Sequence, residues 1–317
     1  MKSKKSFEMS FSWIFAFIAG GAILLLALYG MSKVIQTGQN LGQTEAAAAL
    51  TALLDPLETG LASQKSEEIK LNADTAIFFT CSYLDNRPFG KQMIAFSEKN
   101  LNNKPGEKGR DISIKNKYIF SESVINGKNL YAFSVPFFLP FKIGDLIILS
   151  SKDYCFYQPP NEIKDEIENF ELGNLKITKD LKNCSGTMVC FDSERDECDV
   201  KVFSNGGNYN NGKIVKNLQE VKYRDGLIYG AIFSSKEIYE CNVKRLMARL
   251  SELTLIYSDK ADTLNKKGCS SDIKLDLNVL KNNANSANSS RDLIDLDESA
   301  KKVDSFNKGI MQRCKLY

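Results

Sequence analysis

KEIYECNVKRLMARLSELTLIYSDKADTLNK, residues Lys236–Lys266, is the stretch from which the rest of the chain can be read outward. Tyr239, Val243, Leu246, Leu250, Leu253, Tyr257, Ala261 and Leu264 recur every three or four residues, so they form one apolar stripe on a helix. Gly268 just beyond is a natural stop. Downstream, Ile273, Leu277 and Leu280 start a second stripe, and Leu293, Leu296, Ala300, Val303 and Ile310 resume it after the Asn/Ser-rich NNANSANSS. Residues 236–317 therefore read as a helical hairpin packed on whatever precedes it.

Upstream the pattern changes. Between residues 72 and 235, short runs rich in Phe, Ile, Val and Tyr alternate with Asn, Gly and Asp turns. Strands are predicted at Ala76–Leu84, Gln92–Ser97, Tyr118–Val124, Leu130–Val135, Asp145–Leu149, Tyr154–Tyr157, Thr187–Phe191, Val200–Phe203, Gln219–Tyr223 and Leu227–Phe233. Asn126-Gly127 and Asp225-Gly226 read as hairpin turns, and Asn205–Gly212 (NGGNYNNG) as a loop. One helix, Asn161–Phe170, follows Pro159-Pro160. Phe133–Leu149 (FSVPFFLPFKIGDLIIL) is the most apolar run of this region, and Pro136 and Pro140 argue against a regular central strand there. The fold class expected is α+β, with an antiparallel β-rich ectodomain and a C-terminal helical hairpin.

The N-terminal flank places the chain. Phe11–Met31 (FSWIFAFIAGGAILLLALYGM) holds 21 residues without a charge, enough at about 1.5 Å each to span a hydrocarbon core of about 30 Å. Trp13 and Tyr29 stand near its edges and Gly20-Gly21 in its middle. The run is longer than the apolar part of a cleaved leader, and no Ala-x-Ala follows it. Lys2, Lys4 and Lys5 precede it, whereas only Lys33 follows closely, so the N-terminus is expected in the cytoplasm. The expected order is a basic tail (1–10), a transmembrane helix (11–31), a juxtamembrane helix and linker (32–71), the β-rich ectodomain (72–235) and the hairpin (236–317). Asp55-Pro56 ends the juxtamembrane helix.

The leader also resembles type IV pilin-like proteins over about 25 residues: a short basic segment, a small residue (Ser6), Phe7, an acidic residue and a long apolar helix. The resemblance implies cleavage before Phe7 and packing of the helix into a filament core. Ser6 stands where that family has Gly or Ala, and Glu8 would be the second mature residue where the family has Glu at the fifth.

All eight cysteines (Cys81, Cys155, Cys184, Cys190, Cys198, Cys241, Cys269 and Cys314) follow the apolar run, as expected of disulfides in an oxidising compartment. If Lys236–Lys266 is one helix, Cys241 and Cys269 lie about 40 Å apart, too far for a bond. An antiparallel second arm would bring Cys314 beside Cys241, so that pair is expected. Cys190–Cys198 and Cys184–Cys190 are both open, and Cys81 and Cys155 are candidates for each other.

Composition narrows the chemistry. The chain has no His, which removes Ser-His-Asp and Cys-His nucleophiles and His-ligated metals. A net charge of +3 gives no footprint for nucleic acid. There is no GxxxxGK[ST] and no GxGxxG. Ser-x-x-Lys occurs at Ser271/Lys274, Ser299/Lys302 and Ser305/Lys308, as often as chance gives in a chain this rich in both. Asp192, Glu194 and Asp196 alternate as in calcium loops, but Glu197 occupies the position of the required Gly. Asn183-Cys184-Ser185 and Asn288-Ser289-Ser290 match the glycosylation pattern. A paired-carboxylate hydrolase needs no local motif, so sequence leaves that class open. The expectation is a non-enzymatic envelope protein with no cofactor, no metal and no small-molecule substrate. Its partners would be the bilayer, through residues 11–31, and another protein or a second copy.

Overall fold

Apolar residues that alternate between turns form strands here, and those stepping by threes and fours form helices. The computed structural model describes residues 18–29, 49–50, 54, 66–83, 89–98, 108–114, 116–269 and 273–317. Across these the chain is 40% helical and 36% strand, so both element types contribute substantially to the α+β class.

The first sheet has the order β3-β2-β1-β5-β6-β4. Its strands are β1 (Ser66–Ser82), β2 (Lys91–Glu98), β3 (Ile112–Ile114), β4 (Tyr118–Phe120), β5 (Val124–Phe138) and β6 (Lys142–Ser150). All neighbours are antiparallel except β4 and β6. The expected β-rich boundary at residue 72 is thus too late, because β1 begins at Ser66. Asn126-Gly127 is not a hairpin turn. It lies inside β5, opposite Ala76 and Thr75, where β1 shifts register between Lys70 and Thr75. The Phe133–Leu149 run forms the β5–β6 hairpin after all. Pro136 is tolerated because the described β1 pairing ends at Ser66↔Phe133, so its missing N–H costs no ladder bond on that side.

The second sheet has the order β12-β11-β10-β9-β7-β8. Its strands are β7 (Tyr154–Tyr157), β8 (Leu175–Thr178), β9 (Thr187–Phe191), β10 (Val200–Asn205), β11 (Asn208–Lys216) and β12 (Gln219–Arg224). Here the antiparallel expectation fails. The pairs β8–β7, β7–β9 and β9–β10 are parallel, and only the β10–β11–β12 meander is antiparallel. Helix α1 (Asn161–Asn169) makes the β7-to-β8 crossover that a parallel pair requires. NGGNYNNG is not a loop but a hairpin tip and the start of β11, with Gly206 and Gly207 at φ 66° and 79° supplying a two-residue turn.

Leu227–Phe233 is a helix, α2, and not the predicted strand. All seven of its residues are buried, so the run has no polar face by which its period could be read. Gly230 lets it press on the first sheet: a Cβ there would stand 2.7 Å from the Phe120 ring. Helix α3 (Lys236–Lys266) follows as expected, with the Ser235 hydroxyl accepting the Ile238 N–H. The C-terminal region is three helices, not a two-armed hairpin. α4 (Ile273–Ser286) runs back along α3, so that Ser290 meets Glu240 near the start of α3. A capped turn at Ser289–Asp292 then reverses the chain again into α5 (Leu293–Gly309). One core joins Phe133 and Ile148 of the first sheet, Phe156 and Val202 of the second, and Leu246, Leu280 and Leu296 of the helices. A second core, on the other face of the first sheet, takes in Leu50 and Leu54, so the end of the predicted juxtamembrane helix docks on the body.

The cysteines form Cys81–Cys241, Cys155–Cys184, Cys190–Cys198 and Cys269–Cys314, and no described cysteine is free. The expected Cys241–Cys314 bond does not form. The second reversal carries the C-terminus back to the far end of α3, beside Cys269, and leaves Cys241 facing Cys81 of β1. Cys81–Cys155 and Cys184–Cys190 are likewise not formed, whereas the expected exclusion of Cys241–Cys269 and the candidate Cys190–Cys198 bond match the structure. Of the predicted membrane segment, residues 18–29 are helical; 11–17, including Trp13, and 30–31 lie outside the described residues, as does most of 32–65. Among the described residues no helix is long and apolar enough to cross a membrane.

Candidate functional site

A concavity runs between the β10–β12 meander and helix α5. α5 buries Leu293, Leu296, Ala300 and Val303 in the core, and the interleaved positions Ile294, Asp297, Glu298 and Lys301 line the opening. Facing them are Asn205, Asn211, Lys213 and Arg224 of the meander. Gly212 permits close packing within the meander itself, since a Cβ there would fall 2.0 Å from the Phe203 carbonyl oxygen, which accepts the Tyr223 hydroxyl at 3.3 Å.

Three hollows join end to end. The first, of about 420 Å³, shares Asn211, Arg224, Asp297 and Lys301 with a second of about 430 Å³. The second shares Asn210 and Asp225 with a third of about 190 Å³ that reaches Glu162, Glu166 and Tyr229. The result is a trough of mixed lining, polar side chains of the meander and α5 interleaved with apolar ones such as Ile294 and, at the α1 and α2 end, Val135, Phe138 and Ile228.

Several of its charges are paired internally, while Arg224 Nε and Asp297 Oδ1 are buried without a hydrogen-bond partner among the described residues. The nearly buried Asp297 carboxylate holds the Arg224 guanidinium and, at 2.7 Å, the Lys301 ammonium. Glu220 takes Lys213 and Lys222 at 3.3 and 3.1 Å. At the acidic end the Tyr229 hydroxyl donates to Glu166. Burial pushes the Glu166 carboxyl above the usual carboxylate range. The Tyr229 hydrogen bond opposes that rise, and the charges of Asp225 and Glu162 add to it. Burial also raises Asp225, against the pull of Arg224 and of the Gly226 and Phe138 N–H groups.

The residues singled out from sequence do not converge here. Asp192 is not free to hold a cation: its carboxylate accepts the Ser204 N–H (2.9 Å), the Ser204 hydroxyl (2.8 Å) and the Tyr209 hydroxyl (2.7 Å). Partial burial pushes Asp192 up, but these bonds outweigh it and hold the carboxyl below its usual range. Glu194 offers a backbone oxygen to Lys201, and Cys190–Cys198 closes the loop. Among the described residues no three His, Cys, Asp or Glu side chains are placed to hold a metal ion. The alternating acidic run is a braced turn. The Ser299 hydroxyl donates to helix carbonyls and Lys308 pairs with Asp304, while Lys274 pairs with Asp262 and its candidate partner Ser271 lies outside the described residues. Asn288 is exposed. Gly20, Gly21 and Tyr29 lie on the helical stretch 18–29, whose glycines have no neighbour within contact of an added Cβ. The trough itself was missed because its two walls lie some eighty residues apart in sequence; the only signals were the Asn-Gly-Gly turn and the Asn/Ser run that permits the second helical reversal.

Comparison with protein-family models, with curated proteins and with solved structures finds no match to this chain.

Proposed function

We propose that this chain is a single-pass, membrane-anchored extracytoplasmic protein that works by recognition or assembly at the cell envelope. One observation carries the anchor. In the helical stretch 18–29, the consecutive Ile23, Leu24, Leu25 and Leu26 are all between 60% and 70% exposed, whereas the body helices bury most of their leucines, Leu246, Leu250, Leu277, Leu280, Leu293 and Leu296 among them, and expose Leu255 and Leu275. Apolar side chains exposed all round a helix need an apolar solvent. Those twelve residues, about 18 Å long, are the middle of the charge-free run Phe11–Met31, which has the length to cross. Four disulfides downstream support an oxidising compartment for the body. The trough is the surface we assign to recognition.

Membrane fractionation tests the reading. The chain is expected to stay in the pellet after alkaline carbonate, to lose its body to protease added from the extracytoplasmic side, and to resist thiol alkylation until reduced. Release into the supernatant, or eight freely alkylated thiols without reductant, would defeat it.

A His-independent hydrolase is the second reading, favoured by Glu166 and Asp225 facing one hollow with raised carboxyls. Its mark would be hydrolytic turnover that Glu166→Gln abolishes.

A further inference from the structure

We propose that the trough binds a neutral oligosaccharide, an extended polyhydroxyl chain lying along the meander and α5. The proposal names a ligand class for the recognition role above and rests on that reading. Four features support it. The opening carries Asn205, Asn208, Asn210 and Asn211, whose amides offer both donors and acceptors. Sugar hydroxyls have that same dual character, so each can be met from both sides. Each cation already has an acidic neighbour, Arg224 and Lys301 beside Asp297 and Lys213 and Lys222 beside Glu220, while Arg224 Nε and Asp297 Oδ1 keep unmet hydrogen-bonding capacity that a hydroxyl can fill. A strongly charged ligand would have to break those pairs, whereas a neutral one need not.

Ile294, 58% exposed on the α5 wall, adds an apolar contact suited to the C–H face of a sugar ring. Finally, three adjoining hollows that share lining residues offer room for several linked units. At one end Glu162 and Glu166 line the hollow and offer acceptors toward a hydroxyl.

An extended peptide is the rival occupant, and it fits less well. Peptides lie in such troughs by adding a strand to a free edge. The β12 edge is occupied here: the Lys222 N–H donates to the Ser290 hydroxyl at 3.0 Å, and Ser290 is itself held by Glu240.

The test is calorimetric titration of the full chain in detergent micelles with cellotetraose, chitotetraose, maltotetraose and mannotetraose. At least one is expected to bind. Asn210→Ala, at an exposed position, and Asn211→Ala, at a half-buried one, should each weaken it about tenfold, while Lys182→Ala away from the trough leaves it unchanged. Near-ultraviolet circular dichroism unchanged from the parent establishes that the variants are folded. Binding by none of the four sugars, binding unaffected in both Asn variants, or displacement of a bound sugar only by an extended peptide would each overturn the proposal. The carbonate and protease assays read the anchor and this titration reads the trough, so failure of one is distinct from failure of the other.

Discussion

Arg245 offers the sharpest stability test. It lies on α3, is 3% exposed, and among the described residues pairs with no carboxylate. Its Nε donates to the Phe89 carbonyl at 2.9 Å, and one terminal nitrogen reaches Gln92 Oε1 (3.1 Å), the Lys117 carbonyl (3.0 Å) and Asn242 Oδ1 (2.7 Å). The guanidinium also sits 4.9 Å from the Tyr118 ring centre. Gln92 and Asn242 in turn hold the Ile119 backbone, so one cation ties β2, the lead into β4, and α3. Burial lowers the Arg245 pKa, which measures the cost of keeping the charge there. Replacing it by Met preserves much of the volume and removes every donor. Gln92 keeps its Ile119 bond, but the Phe89 and Lys117 carbonyls and Asn242 Oδ1 lose their Arg245 donor. Roughly 1–3 kcal/mol for each orphaned acceptor gives an upper bound near 9 kcal/mol. Relief from burying an ion returns several of these. The expected net loss is about 3 kcal/mol, about a hundredfold in the folding equilibrium. Urea titration of the full chain in detergent, followed by near-ultraviolet circular dichroism, reads it. Arg245→Lys should lose at least as much, because an ammonium cannot reproduce the fork. If Arg245→Met unfolds at the same or a higher urea concentration than the parent, the cation is a net liability and the reasoning fails.

Other expectations follow from single features. Asn217 and Leu218 turn the β11–β12 hairpin at φ 51° and 60°, and Leu218 is fully exposed, so Leu218→Gly should stabilise by about 1 kcal/mol in the same titration. Loop entropy ranks the disulfides: paired Cys→Ser changes should cost about 5 kcal/mol at Cys81–Cys241, about 4 at Cys269–Cys314 and about 2.5 at Cys190–Cys198, read as shifts in urea midpoint, from separations of 160, 45 and 8 residues. Glu166 binds its proton more tightly folded than unfolded, so its contribution to stability is present at acid pH and declines as pH rises above the ordinary 4.5; Glu166→Gln should flatten that decline, and an unchanged pH profile would contradict the buried-carboxyl assignment. N-terminal sequencing should find an intact Met1; a chain beginning at Phe7 would favour the filament-subunit alternative instead.

The elements legible in the sequence are those whose pattern has length and contrast. Lys236–Lys266 shows its stripe over 31 residues, and the structure ends the helix at the same two residues. Tyr154–Tyr157 and Thr187–Phe191 are short but bracketed by turns, and their bounds also agree. Leu227–Phe233 carries no contrast because every side chain is buried, and a seven-residue apolar run fits either period. Parallel pairing of β7, β8 and β9 was hidden for a related reason: orientation depends on α1 and the connecting segments, not on the strands' own residues. The Cys314 partner turned on a single geometric choice. NNANSANSS can be a bend in one long arm or the reversal between two, and Ser289 with Asp292 makes it the latter by capping a new helix. The trough depends on that same reversal, since without it α5 would not lie across the meander.

The bond between Cys81 and Cys241 also imposes an order in time. At about 5–20 residues per second, Cys81 is made roughly 8–32 seconds before its partner, and four other cysteines are made in between. Thiol oxidation takes seconds to hours, so the central strand of the first sheet meets four wrong partners before the right one exists. Cys155, Cys184, Cys190 and Cys198 escape this by pairing within 29 residues of one another or fewer. Production in a host with abundant disulfide isomerase should therefore raise the yield of correctly bonded protein most for the link whose first cysteine waits longest.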